Sequence, residues 1–313
     1  MPALKGRGLF VFSDPGGAKP VLSIVENVKN ELDDYLIISD REYPFYCDFS
    51  VKVTSFCKSP EEIVASFSPD FILTGTSYTS TIELDFLEAA GQMNVPAYSF
   101  VDHWTNIRER FLKDGKEIFP DYILLIDEEA RSIAIENKIP SLKIIVVGNP
   151  YHDFLKKWKP SIPKTELYHL LNLTYPAKKI IVYAPDPLSN VAGKEKYGFD
   201  EINATESLIQ CIQNIDEFYF VFAPHPNQKI DRIQNIIQEK MKITPQNINL
   251  NTLLFYSSAV IGFFSSILIE AIVLQKPAFR FLIMREFDDP FKYKDVGEKV
   301  YPENIAARLK TLL

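Results

Sequence analysis

Phe222-Ala-Pro-His-Pro-Asn227 and Gly262-Phe-Phe-Ser-Ser-Ile-Leu-Ile-Glu270, about forty residues apart, decide how this chain is read. Each ends an apolar, β-like run: Glu217-Phe-Tyr-Phe-Val-Phe222 before the first and Ser258-Ala-Val-Ile-Gly262 before the second. Ligands of open α/β sheets bind beyond the carboxyl ends of the strands, so the polar residues of both motifs are expected in one ligand crevice. Ser265 and Ser266 open an amphipathic run from Ile267 to Gln275. Their hydroxyls and the free N–H groups of the first turn meet the positive end of the helix dipole, a combination that attracts phosphate. Alone, either serine is an ordinary N-cap. His225 changes the reading, because the flanking prolines restrict its turn. Held at a strand end, an imidazole donates to a phosphate oxygen and, as imidazolium, stabilises a departing phosphate.

Working outward, short β-like runs alternate with helical ones. In the first half the expected strands are 8–13, 35–39, 51–54, 71–75, 97–101, 122–126 and 143–147, with helical stretches from Ala18, Pro60, Thr81 and Glu128. This βαβ rhythm implies a parallel sheet covered on both faces. Lys156-Lys-Trp-Lys-Pro160 and Ile162-Pro163-Lys164 form a charged, proline-containing connection, and Gly148 to Asp153 is expected as a linker turn or hinge. A second alternating series has strands near 180–184, 218–222, 259–262 and 277–281. The chain is therefore divided into 1–155 and 156–313. At 313 residues it exceeds what one hydrophobic core usually serves, which agrees with two domains.

The combination of His-Pro turn, Ser265-Ser266 helix start, Glu270 within that helix and Lys276-Pro277 after it resembles the nucleotide-binding half of GT-B glycosyltransferases. The likeness is strongest to bacterial enzymes that use CMP-linked sugars, of the sialyltransferase-like and capsule Kdo-transferase-like groups, and to CDP-glycerol polymer transferases. The resemblance implies an α/β fold of two Rossmann-like domains whose parallel sheets face across a cleft. It also implies that His225, Pro226, Ser265 and Ser266 hold the nucleotide phosphates, that Glu270 contacts the donor, and that an acidic residue of the N-terminal domain serves as base. UDP-N-acetylglucosamine 2-epimerases share the fold and a similar helix start, so an epimerase or hydrolase is a rival. A non-catalytic nucleotide-sugar-binding subunit is another.

Three N-terminal loops follow strands. Ser13-Asp14-Pro15-Gly16-Gly17-Ala18 has two glycines that permit close backbone approach; it is either a tight βα turn or, under the resemblance, a contact for sugar or acceptor through Asp14, Gly16 and Gly17. It lacks G-x-G-x-x-G, so no nicotinamide chemistry is indicated. Thr74 to Thr81 carries seven hydroxyls in eight residues, and Thr76 and Ser77 suit sugar hydroxyls, although capping or a polar surface also explains such a loop. The densest cluster is Val101-Asp-His-Trp-Thr-Asn-Ile-Arg-Glu-Arg110. Here Asp102 is the candidate general base, with His103 as its partner or substitute. Trp104 would stack on a sugar or base, and Arg108 and Arg110 would hold a carboxylate or phosphate. The structural alternatives are a cap for Asp102, core packing for Trp104 and a solvated face for the arginines. Asp14 and Glu83 are next in line as base.

In the second half, Ser189 or Asn190, after the strand ending at Tyr183, would reach the nucleotide, and Asp288-Asp289 either accept from ribose hydroxyls or are solvated. His169 sits among leucines and reads as structural. No D-x-D element, close His or Cys pair, or larger acidic constellation marks a metal site, so metal-independent catalysis without a cofactor is expected, the nucleotide sugar being the donor substrate. Expected partners are that donor and a glycan, lipid-linked or protein acceptor.

Composition fits this reading: 46% hydrophobic and 24% charged residues are ordinary for a globular protein. A net charge of −7 argues against general nucleic-acid binding. Cys47, Cys57 and Cys211 have no metal spacing and read as reduced thiols, and with no signal-peptide core after Arg7 a cytoplasmic location is expected. Residues 253–274 form the longest apolar region, but serines and Glu270 divide it, so no membrane span is expected. The 13% aromatic content suits core packing, with peripheral membrane contact as the alternative.

Overall fold

The structure, a computed structural model, describes residues 4–55, 58–225, 228–237, 240–291 and 296–313. Pro226 and Asn227 of the His-Pro motif, and Cys57, lie outside the described residues. The chain forms two units, the first running to Phe154 and the second from Leu155 to Leu313.

Unit 1 contains β1 (Arg7–Phe12), α1 (Pro15–Val28), β2 (Asp34–Ser39), α2 (Pro60–Phe67), β3 (Phe71–Thr74), α3 (Ile82–Met93), β4 (Ala97–Val101), β5 (Leu112–Lys113), β6 (Lys116–Glu117), β7 (Tyr122–Leu125), α4 (Glu128–Glu136) and β8 (Ile144–Val146). Helix α5 (Pro150–Lys157) runs through the point of division, so Gly148 to Asp153 leads into a helix where a linker turn was expected. Six parallel strands form the sheet, in the order β2-β1-β3-β4-β7-β8. Leu9, Phe10, Val11 and Phe12 are all fully buried although successive side chains alternate sides, so β1 is covered on both faces, as parallel sheets require. Residues 51–54, expected as a strand, contribute only a bridge from Thr54 to Ile38.

Unit 2 contains α6 (Lys164–Leu170), β9 (Lys179–Tyr183), α7 (Gly193–Tyr197), α8 (Glu201–Ile212), β10 (Phe218–Phe222), α9 (Asp231–Ile237), β11 (Met241–Ile243), α10 (Leu250–Tyr256), β12 (Ala259–Gly262), α11 (Ser266–Val273), β13 (Ala278–Phe281), β14 (Glu298–Val300) and α12 (Ile305–Lys310). Its sheet is also six-stranded and parallel, in the order β11-β10-β9-β12-β13-β14. The edge strands β11 and β14 are only three residues long and carry too little apolar periodicity to be read from sequence.

In each sheet the chain leaves its first strand in one direction and later returns to the other side of it. The reversal falls between β1 and β3 in unit 1 and between β9 and β12 in unit 2. The connections on the two sides of such a reversal diverge and leave a crevice at the carboxyl ends of the strands. Among the described residues no helix is long and apolar enough to cross a membrane.

Candidate functional site

In unit 2 the strand ends are in register. Ala223 N–H donates to the Tyr183 carbonyl and Ala184 N–H to the Ile261 carbonyl, so β10, β9 and β12 finish side by side. With β9 between them, the turns after β10 and β12 stand about 10 Å apart, the width of two strand spacings. His225 belongs to the first turn and Ser265 and Ser266 to the second.

The turn after β12 is fixed from three sides. Gly262 has no room for a side chain, since a Cβ there would come within 2.9 Å of the Ala184 carbonyl oxygen. Phe264 N–H donates to Asp186 Oδ2 at 2.8 Å, which ties the loops on either side of the reversal together. Arg280 of β13, almost wholly buried, donates from Nε to the Phe263 carbonyl at 3.0 Å and forks onto Asp289. Burial pushes the Asp186 carboxyl up to about 6, although Phe264 N–H and Arg280 act the other way. Beyond this braced turn, Ser265 is the N-cap of α11 with extended backbone, and its side chain makes no capping bond. Its hydroxyl is thus not committed to holding the helix, and the first-turn N–H groups give the turn its positive potential.

Other residues expected around the nucleotide have structural engagements. The N–H and hydroxyl of Ser189 both donate to the buried Glu201, at 2.8 and 2.6 Å. Glu270 is buried within α11, and Asp289 pairs with Arg280 and Lys299. His169 lies in α6.

In unit 1 the loops after β1 and β3 interlock at the reversal. A Cβ on Gly17 would meet the Thr76 backbone nitrogen at 2.8 Å, so only glycine permits this approach. Asp14, the N-cap of α1, accepts from Tyr78 N–H at 2.9 Å, Thr79 Oγ1 at 2.6 Å and Arg41 Nη1 at 2.8 Å, while its own N–H donates to Ser77 Oγ. Glu83 is buried beneath this loop and accepts from Ser13 N–H and from the Ser77 hydroxyl. Burial raises its carboxyl to about 7, against the lowering effect of those donors.

Asp102, immediately after β4, faces the same loop: a Cβ on Gly16 would fall within 2.1 Å of Asp102 Oδ2. Its other oxygen accepts from Arg110 Nη1 at 3.0 Å, and the same nitrogen donates to Thr76 Oγ1 at 2.9 Å. The guanidinium of Arg110 also lies over the Tyr78 ring, 4.6 Å from its centroid. The structure therefore gathers Gly16, Thr76, Asp102 and Arg110 into one group at the carboxyl ends of β1, β3 and β4. His103 is engaged within its own loop: its Nδ1 lies 3.2 Å from Thr105 N–H and 2.9 Å from Thr105 Oγ1. Trp104 is buried with Nε1 donating to both oxygens of Asp127, the N-cap of α4. Arg108 pairs with Glu117 and donates to the Asn137 carbonyl. These two residues lie outside the Asp102 group and act as braces.

Arg41, Asp186 and Arg280 were not assigned roles from sequence. Only Arg280 had a legible signal, a charge inside the apolar run Ala278-Phe-Arg-Phe281. Among the described residues, no three His, Cys, Asp or Glu side chains gather as a metal-binding group.

Comparison with known proteins places this geometry. The family described as CDP-glycerol:poly(glycerophosphate) glycerophosphotransferase matches residues 105–298, more than half of the chain, including His225, Ser265 and Ser266 but beginning after Asp102. No curated protein matches by sequence. Among solved structures, the Staphylococcus aureus MnaA–UDP co-structure is 17% identical, with a TM-score of 0.71 over 98% of this chain and 87% of that one. UDP-GlcNAc 2-epimerase from Neisseria meningitidis, bound to UDP-GlcNAc, is 17% identical, with a TM-score of 0.69 over 97% and 91%. Anabaena HepE in complex with UDP-glucose is 15% identical, with a TM-score of 0.64 over 97% and 89%. At these identities the likeness is one of fold, the GT-B-like pairing of two Rossmann-like units.

Proposed function

Because this chain belongs to the CDP-glycerol:poly(glycerophosphate) glycerophosphotransferase family, we propose that it transfers a sugar, sugar-acid or polyol-phosphate group from a nucleotide-activated donor, cytidine-linked by preference, to a hydroxyl acceptor in surface-glycan or glycoconjugate assembly. The observation that carries this reading is the pair of turns flanking β9, with His225 on one and the braced Ser265-Ser266 helix start on the other, both inside the family match. Such a pair supplies a cation-capable donor and a helix N-terminus to the phosphates of one nucleotide. The UDP-GlcNAc and UDP-glucose complexes of proteins with this fold support a nucleotide-linked donor.

In this reading unit 2 takes the donor and unit 1 the acceptor. The acceptor oxygen bonds to the transferred carbon or phosphorus, the bond from that atom to the nucleotide phosphate breaks, and the nucleotide leaves with the electron pair. His225, Ser265 and Ser266 meet the charge gained by the leaving phosphate. Asp102 takes the acceptor proton; Arg110 and the close backbone of Gly16 fix its position.

The test is calorimetry with CMP, CDP, UDP and GDP followed by product analysis. His225→Ala, and Ser265→Ala with Ser266→Ala, should each weaken nucleotide binding by about 1–3 kcal/mol in folded protein. Asp102→Asn should lower kcat about 10²–10⁴-fold with nucleotide affinity retained. Unchanged affinity in all site variants rejects the nucleotide site. The fold likeness to UDP-GlcNAc 2-epimerases keeps epimerisation as the second reading, and rapid donor epimerisation without acceptor would establish it in place of transfer.

A further inference from the structure

Gln228 sits just beyond the His-Pro turn and is nine-tenths buried. It closes a ring with His225: its N–H donates to the His225 carbonyl at 2.8 Å, and its Oε1 accepts from His225 N–H at 3.2 Å. The second bond settles which end of the carboxamide is which, because a flipped amide would set N–H against N–H. The other end, Nε2, is buried and has no hydrogen-bond partner among the described residues. The two ends of one carboxamide are roughly 2.3 Å apart, so Nε2 lies within about 6 Å of the His225 backbone nitrogen, at the carboxyl end of β10.

A buried amide NH₂ with neither partner satisfied is costly, and folded proteins rarely retain one without a use. We propose that Gln228 is a ligand-binding residue, its Nε2 donating to a phosphate oxygen of the bound nucleotide while its Oε1 holds the His225 turn. This rests on the phosphate-site reading of His225, Ser265 and Ser266 and adds a donor that the His-Pro and Ser-Ser motifs do not contain. The ligand class is a nucleoside mono- or diphosphate, recognised at its phosphate.

The decisive variant is Gln228→Glu, which keeps an acceptor for His225 N–H and replaces the NH₂ donor by oxygen. Calorimetry on the full chain would compare CMP with cytidine, alongside His225→Ala and a circular-dichroism check of folding. The expected result is a loss of CMP affinity of about 10–100-fold in Gln228→Glu with cytidine affinity within twofold of wild type. If CMP affinity is unchanged in Gln228→Glu but falls in His225→Ala, the site stands and Gln228 is only a turn brace. A parallel loss of CMP and cytidine also overturns the proposal, since it marks distortion of the turn or a nucleoside contact. If neither variant affects CMP, or wild type does not bind it, the underlying phosphate-site reading falls, and this inference with it. Should Gln228→Glu fail to fold, Gln228→Met provides the second arm: it adds no charge but removes the Oε1 acceptor for His225 N–H together with the donor, so it is read beside His225→Ala; a further CMP-selective loss in the double variant is expected, and no loss beyond that of His225→Ala overturns the proposal.

Discussion

Replacing Arg280 by methionine tests whether the turn before Ser265 is held by a buried cation. Arg280 is 1% exposed and forks onto Asp289, with Nη1 3.1 Å from Oδ2 and Nη2 2.5 Å from Oδ1. Its guanidinium also lies near the Phe264 and Phe291 rings, 5.4 and 5.2 Å from their centroids. Methionine keeps much of the volume but offers no donor. Stranding one partner of a buried pair costs about 3–5 kcal/mol, and the Phe263 carbonyl loses a bond worth about 1 kcal/mol. Lys299, 2.7 Å from Asp289, remains to receive the charge and reduces the first loss. The expected destabilisation of unit 2 is therefore about 2–4 kcal/mol. One of the two tryptophans, Trp104, lies in unit 1 and the other, Trp158, in unit 2, so urea unfolding in a Trp104→Phe background lets Trp158 report the affected unit. Burial alone would raise the Asp289 pKa, but hydrogen bonds from Arg280 and Lys299 hold it below the ordinary value. The stability this confers is present above the unfolded carboxylate value, about 3.9, and is lost as pH falls through the lower folded one. The variant should accordingly lose less stability than wild type on acidification from pH 5 to 3. CMP affinity should also fall, because the Phe263–Ser265 turn loses a support. A loss below about 1 kcal/mol, with unchanged acid sensitivity, would refute the argument.

Gly16→Ala would drive a methyl into Asp102 Oδ2, displacing the carboxylate and straining its bond to Arg110; kcat should fall at least about tenfold with nucleotide affinity unaltered, as steady-state kinetics beside calorimetry would show. Glu83→Gln addresses the buried carboxyl raised to about 7: wild-type unit 1 should lose up to about 3 kcal/mol as pH rises from the unfolded value, near 4.5, through 7, because the folded state resists ionisation. The variant, which has no proton to lose, should show a flat profile over that range in Trp104-detected melts; a slope equal to wild type would remove Glu83 as its source.

The apolar runs and their βαβ spacing were enough to specify two parallel α/β units, because strands buried on both faces must be continuous in Val, Ile, Leu and Phe, as Leu9 to Phe12 and Ile180 to Tyr183 are. The strand ends were equally legible, since polar residues gather where the buried runs stop, which marked His225, Ser265 and Asp102. Sequence could not settle which polar residues are spent on the protein itself. Trp104, Arg108 and Ser189 look like ligand contacts in a linear reading, yet partners 23, 9 and 12 residues away claim them. Nor did it assign Arg280 and Asp186 as braces, because their role depends on β9, β12 and β13 becoming neighbours across a reversed strand order. Local periodicity is a property of successive residues, whereas satisfaction of a buried charge or amide depends on which distant segments fold against it. For that reason the His-Pro and Ser-Ser turns were legible in the chain, and the Gln228 amide became visible only in the folded protein.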